Sequence, residues 1–512
     1  MNKRIDDTKQ VKLGAIFSYL LIVLNTVFGL FVSPYTLSQL GEGVYGVYKT
    51  IASFSATLLV LDLGIGTTVM RYTAKYRAEK QYDKIGNFAA MGLVESFIMG
   101  VVLCVVALGV FFSLDGLYGN SFTSSELSLA KTLFLITIIT MLGTMIDNVL
   151  SGVIMGTNQF VFVNGFRFLS LLLRIIFTYL FLYIIPSPVI LVLLSLFFTL
   201  LSVVANYIYI VHKLKIRLKI TTWDNYVLKE SLGYTMLMFL QTLAGQANGN
   251  IDNIVIGAVI GAAAVSVYSF GIQLFNMFET LATSFSNLML PSISKKIVDG
   301  ASDEELQESV TKVGRLQFTV LMGALGGIVV VGREFIYLWL GEGFEDVYLL
   351  SIIMMVPVML TLIQNVCLSI LRAKNMMVFR TVQIVLAGMF NAVFTVIGTK
   401  IYGYYAAAIG TGLSILLFSV VMMNIYYHYR IGFKVSKFYW DVSKGILPCA
   451  AITSIVVFFI GLYLNGSWVF LVVKISLFLM LYIILLFVFG FNQSERNMLF
   501  GNIIKKISEK RS

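Results

Sequence analysis

Apolar residues run along this chain in blocks of about 20 or more, parted by short polar stretches and without strand-like alternation. Blocks of that length predict membrane-crossing helices and exclude a transmembrane barrel. They fall near residues 13–34, 45–70, 86–112, 128–155, 160–184, 188–211, 231–257, 263–290, 314–340, 347–371, 376–398, 404–427, 445–464 and 467–490, about fourteen spans in all. The seventh is unusually polar, and the last two are joined by the short turn Asn465-Gly466-Ser467. The first follows a charged N-terminal stretch. It is too long for a signal-peptide core and has no small-residue cleavage site, so it is expected to be retained.

The pattern repeats at a spacing of 220 residues. Gly41-Glu42-Gly43-Val44-Tyr45-Gly46-Val47-Tyr48 falls on Gly261 through Tyr268, which sets the second span on the eighth. A fainter echo, offset by 217, relates Val149–Asn158 to Val366–Asn375. Two six-helix lobes of equal orientation follow, with a substrate path expected at their interface. The expected divisions are an N-lobe at 1–212, a cytoplasmic linker at 213–230, a C-lobe at 231–428, two extra helices at 429–490 and a cytoplasmic tail at 491–512. The polar segment 291–315 reads as an amphipathic linker at the membrane surface.

Composition narrows the class further. Of 512 residues, 58% are hydrophobic and 12% charged, against roughly 25% charged in soluble domains. That excludes a soluble enzyme, a disordered chain and a nucleic-acid-binding domain. The net charge of +11 is read through the positive-inside rule. With the N-terminus inside, the inner segments hold 30 of the 37 Lys and Arg residues, which predicts an even number of spans with both termini cytoplasmic. Cys104, Cys367 and Cys449 lie within apolar blocks, and His212 and His428 stand apart, so no metal site or cofactor is expected.

The stretch Leu40 to Tyr48, followed by Asp62-Leu63-Gly64-Ile65-Gly66 and Arg71, resembles the polysaccharide transporter family. This is the oligosaccharide and O-antigen flippase branch of the multidrug/oligosaccharidyl-lipid/polysaccharide (MOP) exporter superfamily. The resemblance implies an all-α, V-shaped, MATE-like transporter with spans one, two, seven and eight around a central cavity. It implies movement of undecaprenyl-diphosphate-linked oligosaccharide across a bacterial cytoplasmic membrane by alternating access, for O-antigen, capsule or exopolysaccharide synthesis. Implied partners are membrane lipid and the glycosyltransferases and polymerase of the same pathway; no nucleic acid is expected. In one respect the chain departs from lipid II flippases. The interiors of those four spans offer Asn25, Asp62, Asp252 and Glu279 but no arginine, which speaks against a peptidoglycan precursor as cargo.

Polar residues within a span are costly and usually face a cavity or a partner. On span seven, Gln241, Gly245, Asn248 and Asp252 share one face, thickened by Gln246, Asn250 and Asn253. The face suits either a wall that hydrogen-bonds sugar hydroxyls or polar glue between helices. Span one carries a milder face of Gly14, Ser18, Asn25 and Gly29, open to the same two readings. Asp62 and Glu279 are candidate coupling acids for a proton or sodium ion; the alternative for each is a structural ion pair or a capping role, and for Asp62 the run Asp-Leu-Gly-Ile-Gly suggests a local turn or close packing. Glu95, Asp147 and Arg167 lie at similar depth, with Arg174 further in, and are expected to form a structural ion-pair network. For a diphosphate group the positive candidates are Lys49 and Arg71, with Lys75 more plainly a membrane anchor. The chain has no Gly-x-x-x-x-Gly-Lys-Ser/Thr phosphate loop, so an ion gradient, the membrane potential or product consumption must drive transport. The competing functions are a multidrug or cation exporter of the same superfamily and, from another class, a membrane glycosyltransferase or polymerase.

Overall fold

The computed structural model describes residues 7–222, 243, 245–246, 249–374, 376–464, 466–493 and 495–496. All regular structure among them is helical. Among the described residues, ten helices are long and apolar enough to cross a membrane, or twelve if two bent pairs each make one span. The bent pairs are Asp346–Leu362 with Asn365–Arg372 and Val435–Ser443 with Ile446–Gly461. Most of the expected seventh span lies outside the described residues, and the eighth coincides with the helix Ala262–Val298. The chain is therefore a multi-pass membrane protein; the count of fourteen stands as the sequence expectation.

Tertiary contacts group the chain into two compact units. One comprises Met1–Ser269 and Asn391–Ala407, the other Phe270–Phe390 and Ala408–Ser512. The sequence repeat places the division near residues 213–230, whereas in the structure the stretch up to Ser269 and a piece of span eleven belong with the N-terminal helices.

The first unit begins with α1 (Asp7–Leu40), α2 (Glu42–Leu58), α3 (Ile65–Ala78), α4 (Tyr82–Tyr118), α5 (Ser124–Gly156), α6 (Phe160–Ile184) and α7 (Pro188–Ile208). Local chemistry starts several of these. Thr123 accepts from the Glu126 amide while Glu126 receives the Thr123 amide, a reciprocal cap on α5. Ser187 caps α7, with Pro188 at its first position. One core packs Val47, Ile51, Phe54 and Leu58 of α2 against Leu103, Leu114 and Tyr118 of α4 and Leu133 and Phe134 of α5. A second packs Ile65, Val69 and Tyr72 of α3 against Phe88 and Ala89 of α4 and Val149 and Val153 of α5.

Glycine sets how closely these helices approach. A Cβ on Gly66 would lie 2.5 Å from the Asn148 carbonyl oxygen, and one on Gly152 would lie 2.4 Å from the carbonyl oxygen of Gly66. Helices α3 and α5 thus touch backbone to backbone. After α7 the segment 214–222 is irregular but held. Asn87 Oδ1 accepts from the Thr221 and Thr222 amides at 2.6 and 3.1 Å, and Asn87 Nδ2 donates to the Thr222 carbonyl at 2.8 Å. The unit is completed by α8 (Asn250–Val259), the start of α9 (Ala262–Val298) and residues 391–407. Gly41 and Gly261, matched by the 220-residue shift, both have positive φ (78° and 129°), and each immediately precedes a helix, α2 and α9 respectively.

The second unit is arranged around α10 (Asp303–Leu340). Segment 291–315, expected as a linker, is nearly all helix. Helix α9 runs to Val298, and α10 starts at Asp303 under a reciprocal cap of Ser302 and Glu305. The unit continues with α11 (Asp346–Leu362), α12 (Asn365–Ala373), α13 (Met377–Tyr402, with residues up to Phe390 in this unit), α14 (Tyr404–Ser414, from Ala408 in this unit), a π-helical stretch Ile415–Met422, α15 (Met423–Ile431), α16 (Val435–Ser443), α17 (Ile446–Gly461) and α18 (Trp468–Leu485); of these α11, α12, α16, α17 and α18 pack on α10.

The two C-terminal spans are docked through charge. Lys474 on α18 donates to Glu334 on α10 at 2.5 Å, with Lys474 buried. Arg315 on α10 donates to both oxygens of Glu495 at 2.6 and 3.1 Å, and to the carbonyls of Asp441, Lys444 and Gly490. Gly323 and Gly326 make room for Tyr482 and Phe478 of α18.

The α3–α5 contact generates a stability prediction. Gly66→Val inserts atoms where backbone already stands, and should lower stability by about 1–3 kcal/mol. Gly109→Ala, which meets nothing within 4 Å, should not. Thermal unfolding of the two purified variants in detergent measures the difference.

Candidate functional site

The polar face expected on span seven leads into α8. Gln241 and Asn248 fall outside the described residues. Gln246 is half-buried, and its Oε1 accepts from Asn250 Nδ2 in a tight helical pair. Asp252 is fully buried and is the centre of the best-defined polar cluster. Tyr268 Oη donates to its Oδ2 at 2.6 Å, while Thr395 Oγ1 and Asn391 Nδ2 donate to its Oδ1 at 2.9 and 3.2 Å. All three partners are themselves fully buried. One residue on, Asn253 accepts from Ser269 Oγ at 3.3 Å and donates to Ser53 Oγ of α2 at 3.0 Å.

These bonds belong to a polar seam inside the first unit. Tyr118 Oη of α4 donates to the Ile254 carbonyl at 3.0 Å, and Ser266 Oγ donates to the Glu42 carbonyl at 2.6 Å. Gly46 permits the approach, because a Cβ there would lie 1.7 Å from the Ala262 carbonyl oxygen. Residues 42–54 and 118 thus meet residues 253–268 through hydrogen bonds and glycine contacts as well as apolar packing.

The Asn391 and Thr395 partners had a sequence signal, since they stand four apart on an apolar helix and share a face. Nothing in the sequence ties them to Asp252, which is 139 positions from Asn391. On α1 the two readings of the polar face separate. Gly14 and Ser18 pack on α6, where Asn164 Nδ2 donates to the Gly14 carbonyl and to Ser18 Oγ. Asn25 is exposed and donates back to the Leu21 carbonyl of its own helix. Lys49 is half-buried with its Nζ 5.2 Å from the Tyr45 ring centre, and Arg71 is exposed on α3. Lys75 is also exposed, near the Tyr72 ring. Glu279, in the second unit, is half-buried on α9.

Asp62 occupies a break in span two. A tight turn, Leu59–Asp62, ends α2; Leu63 and Gly64 then take φ of 53° and 69° before α3 starts. The local turn read from Asp-Leu-Gly-Ile-Gly is present. Asp62 Oδ2 accepts from Asn148 Nδ2 of α5 at 3.1 Å.

The expected ion-pair network of Glu95, Asp147 and Arg167 is not formed, and that reading is corrected here. Asp147 turns to α7, where Ser202 Oγ and Asn206 Nδ2 donate to it at 2.7 and 2.8 Å. Arg167 donates to Ser151 Oγ at 3.3 Å, and Arg174 to Ser195 Oγ at 2.6 Å. Glu95, half-buried on α4, joins neither. Equal depth on neighbouring helices did not bring the charges together: Asp147 takes its partners from α7 and Arg167 takes Ser151 of α5. Among the described residues, buried ion pairs are made by Arg315 and Lys474 in the second unit, one in a polar segment and the other in an apolar span of the sequence.

Solved structures define the class. The chain is similar to a lipid II flippase, MurJ, in an inward closed conformation, at 16% identity and a TM-score of 0.70, over 96% of this chain and 100% of that one. It is also similar to an inward-facing multidrug resistance MATE family transporter of the MOP superfamily, at 16% identity and a TM-score of 0.58, over 81% and 95% of the two chains. A MOP superfamily transporter from Pyrococcus furiosus gives 15% identity and a TM-score of 0.60, over 84% and 97%. The fold is that of MOP transporters. The family model described as "Polysaccharide biosynthesis protein" matches residues 37–349, and the chain belongs to that family. No curated protein matches it.

The partners of Asp147 can be tested directly. A double-mutant cycle on unfolding should give a coupling of about 0.5–3 kcal/mol between Asp147→Ala and Asn206→Ala, and within ~0.5 kcal/mol of zero between Asp147→Ala and Arg167→Met.

Proposed function

We propose that this protein is a flippase that carries undecaprenyl-diphosphate-linked oligosaccharide from the inner to the outer leaflet of a bacterial cytoplasmic membrane. It works by alternating access between two six-helix lobes and makes or breaks no covalent bond. The observation that carries the reading is the polar seam in the first unit, set within a family of polysaccharide biosynthesis proteins. A contact that parts and faces water is favoured by polar side chains, because its groups then exchange protein partners for solvent at little cost.

In this reading the cavity is lined by Asn25, Gln241, Gln246, Asn248 and Asp252, which offer donors and acceptors to sugar hydroxyls. Lys49 and Arg71 attract the diphosphate, Arg71 at the cytoplasmic entrance. Coupling to a proton or sodium ion falls to Asp62 and Glu279. Both termini face the cytoplasm, as the Lys and Arg distribution requires. The glycosyltransferases that build the lipid-linked glycan supply the substrate, and a polymerase consumes the product.

Flipping of a fluorescent undecaprenyl-diphosphate oligosaccharide in proteoliposomes tests the proposal. Asp252→Ala and Gln241→Ala should each slow flipping about tenfold or more, equivalent to ~1.4 kcal/mol on the barrier. Glu279→Gln should remove the response to an imposed proton or sodium gradient. Wild-type protein that moves no lipid-linked glycan but exports organic cations overturns the reading in favour of a drug exporter.

A further inference from the structure

Two buried oxygens lie close to the break in span two without a hydrogen-bond partner among the described residues. One is Asp62 Oδ1, on a side chain whose residue is 8% exposed; the other is Ser96 Oγ of α4, 2% exposed. Helix register places them together. The missing side chain of Gly92 on α4 would meet Val69 and Ile65 of α3 at 2.7 and 3.8 Å and Val149 of α5 at 3.5 Å, so the three helices converge there. Helices α3 and α4 form a hairpin across residues 79–81 and run antiparallel. One turn past Gly92 on α4 is Ser96, and the Leu59–Asp62 turn that precedes α3 packs against both α4 and α5. Asn148 immediately precedes Val149 on α5 and already holds the other oxygen of Asp62.

We infer that Asp62, Ser96 and Asn148 form a binding site for a monovalent cation of the sodium class, seated in the break of span two. The junction supplies one carboxylate oxygen and one hydroxyl oxygen. Turning the Asn148 amide over presents its oxygen in place of its NH2. The break itself ends a helix beside the site, and interrupted spans use such ends to coordinate small cations. Asp62 is the one acid among these three ligands. A single negative charge matches a monovalent ion and is too little for calcium or magnesium, which draw on several carboxylates. Asp147, adjacent to Asn148 but held by Ser202 and Asn206 of α7, Glu95, adjacent to Ser96, and Arg71, further along α3, are the nearest charged residues by sequence on the packed helices.

Occupancy would be felt at once by the helix contacts. Asn148 is the residue whose backbone Gly66 touches, so an ion drawing in Asn148 bears on the α3–α5 contact. The site deepens the coupling role proposed for Asp62 and rests on the transport reading for its purpose, while its chemistry is testable without transport.

The experiment is thermal unfolding of the purified full chain in detergent, with sodium chloride exchanged for choline or potassium chloride at equal ionic strength. Wild type should gain roughly 2–4 °C as sodium rises from zero to about 150 mM, with saturation. Asp62→Asn and Ser96→Ala should each abolish the gain, and Asp115→Asn, in an exposed pair with Lys131, should keep it. If Asp62→Asn does not fold, Ser96→Ala, which removes one hydroxyl, decides alone. A gain reproduced by potassium and choline, a sodium gain that survives Ser96→Ala, or stability that follows pH and not sodium overturns the site. A sodium gain in a protein that flips no lipid leaves the site standing and removes the transport reading.

Discussion

Hydrocarbon offers no hydrogen bonds, so every polar side chain on a membrane span must be met by another part of the protein or by a water-filled space. The two compact units meet this constraint differently. In the first, several charges within the spans are held by neutral partners. Asp147 is held by Ser202 and Asn206, Asp62 by Asn148, Asp252 by Tyr268, Asn391 and Thr395, Arg167 by Ser151 and Arg174 by Ser195. In the second, Arg315 and Lys474 meet full carboxylates at Glu495 and Glu334. Breaking a buried ion pair strands a charge and costs about 3–5 kcal/mol, whereas neutral partners can be exchanged for water more readily. The ion pairs fix the two C-terminal spans to α10, whereas these charges of the first unit are held by neutral groups.

Small residues work alongside this chemistry. The family-like motif acts through its glycines as much as through its polar groups. Gly41 takes a left-handed turn ahead of α2, and Gly46 removes the side chain that would strike the Ala262 carbonyl. Gly64 completes the break after Asp62, and Gly66 brings α3 onto the backbone of α5. Only the first and third need unusual torsions. The other two are small because another backbone occupies the place of a Cβ, which is how spans gain contact when lipid and leucine are equally apolar.

Much of this was legible in the residue order. The apolar blocks gave the helices to within a few residues over most of the chain, and the 220-residue shift aligned two glycines that share positive φ and precede matching helices. The turn at Asp62 and the buried polar character of Asp252 were visible as well. The Glu95, Asp147 and Arg167 network was misread, because depth along a helix is readable from span boundaries and rotation about its axis is not. Segment 291–315 looked like a linker because it is polar. It is two helix ends meeting at a capped turn, and polarity alone does not distinguish the two.

The sequence by itself determined the class: an all-helical, multi-pass membrane protein. Hydrophobic length and glycine placement act locally and survive in the linear order. Only the tertiary structure decided which polar groups meet. Asp252 with Asn391 and Thr395, Arg315 with Glu495 and Lys474 with Glu334 join residues more than a hundred positions apart. The bilayer requires each of these groups to have a partner, but which one it finds depends on how the helices turn about their axes when they pack.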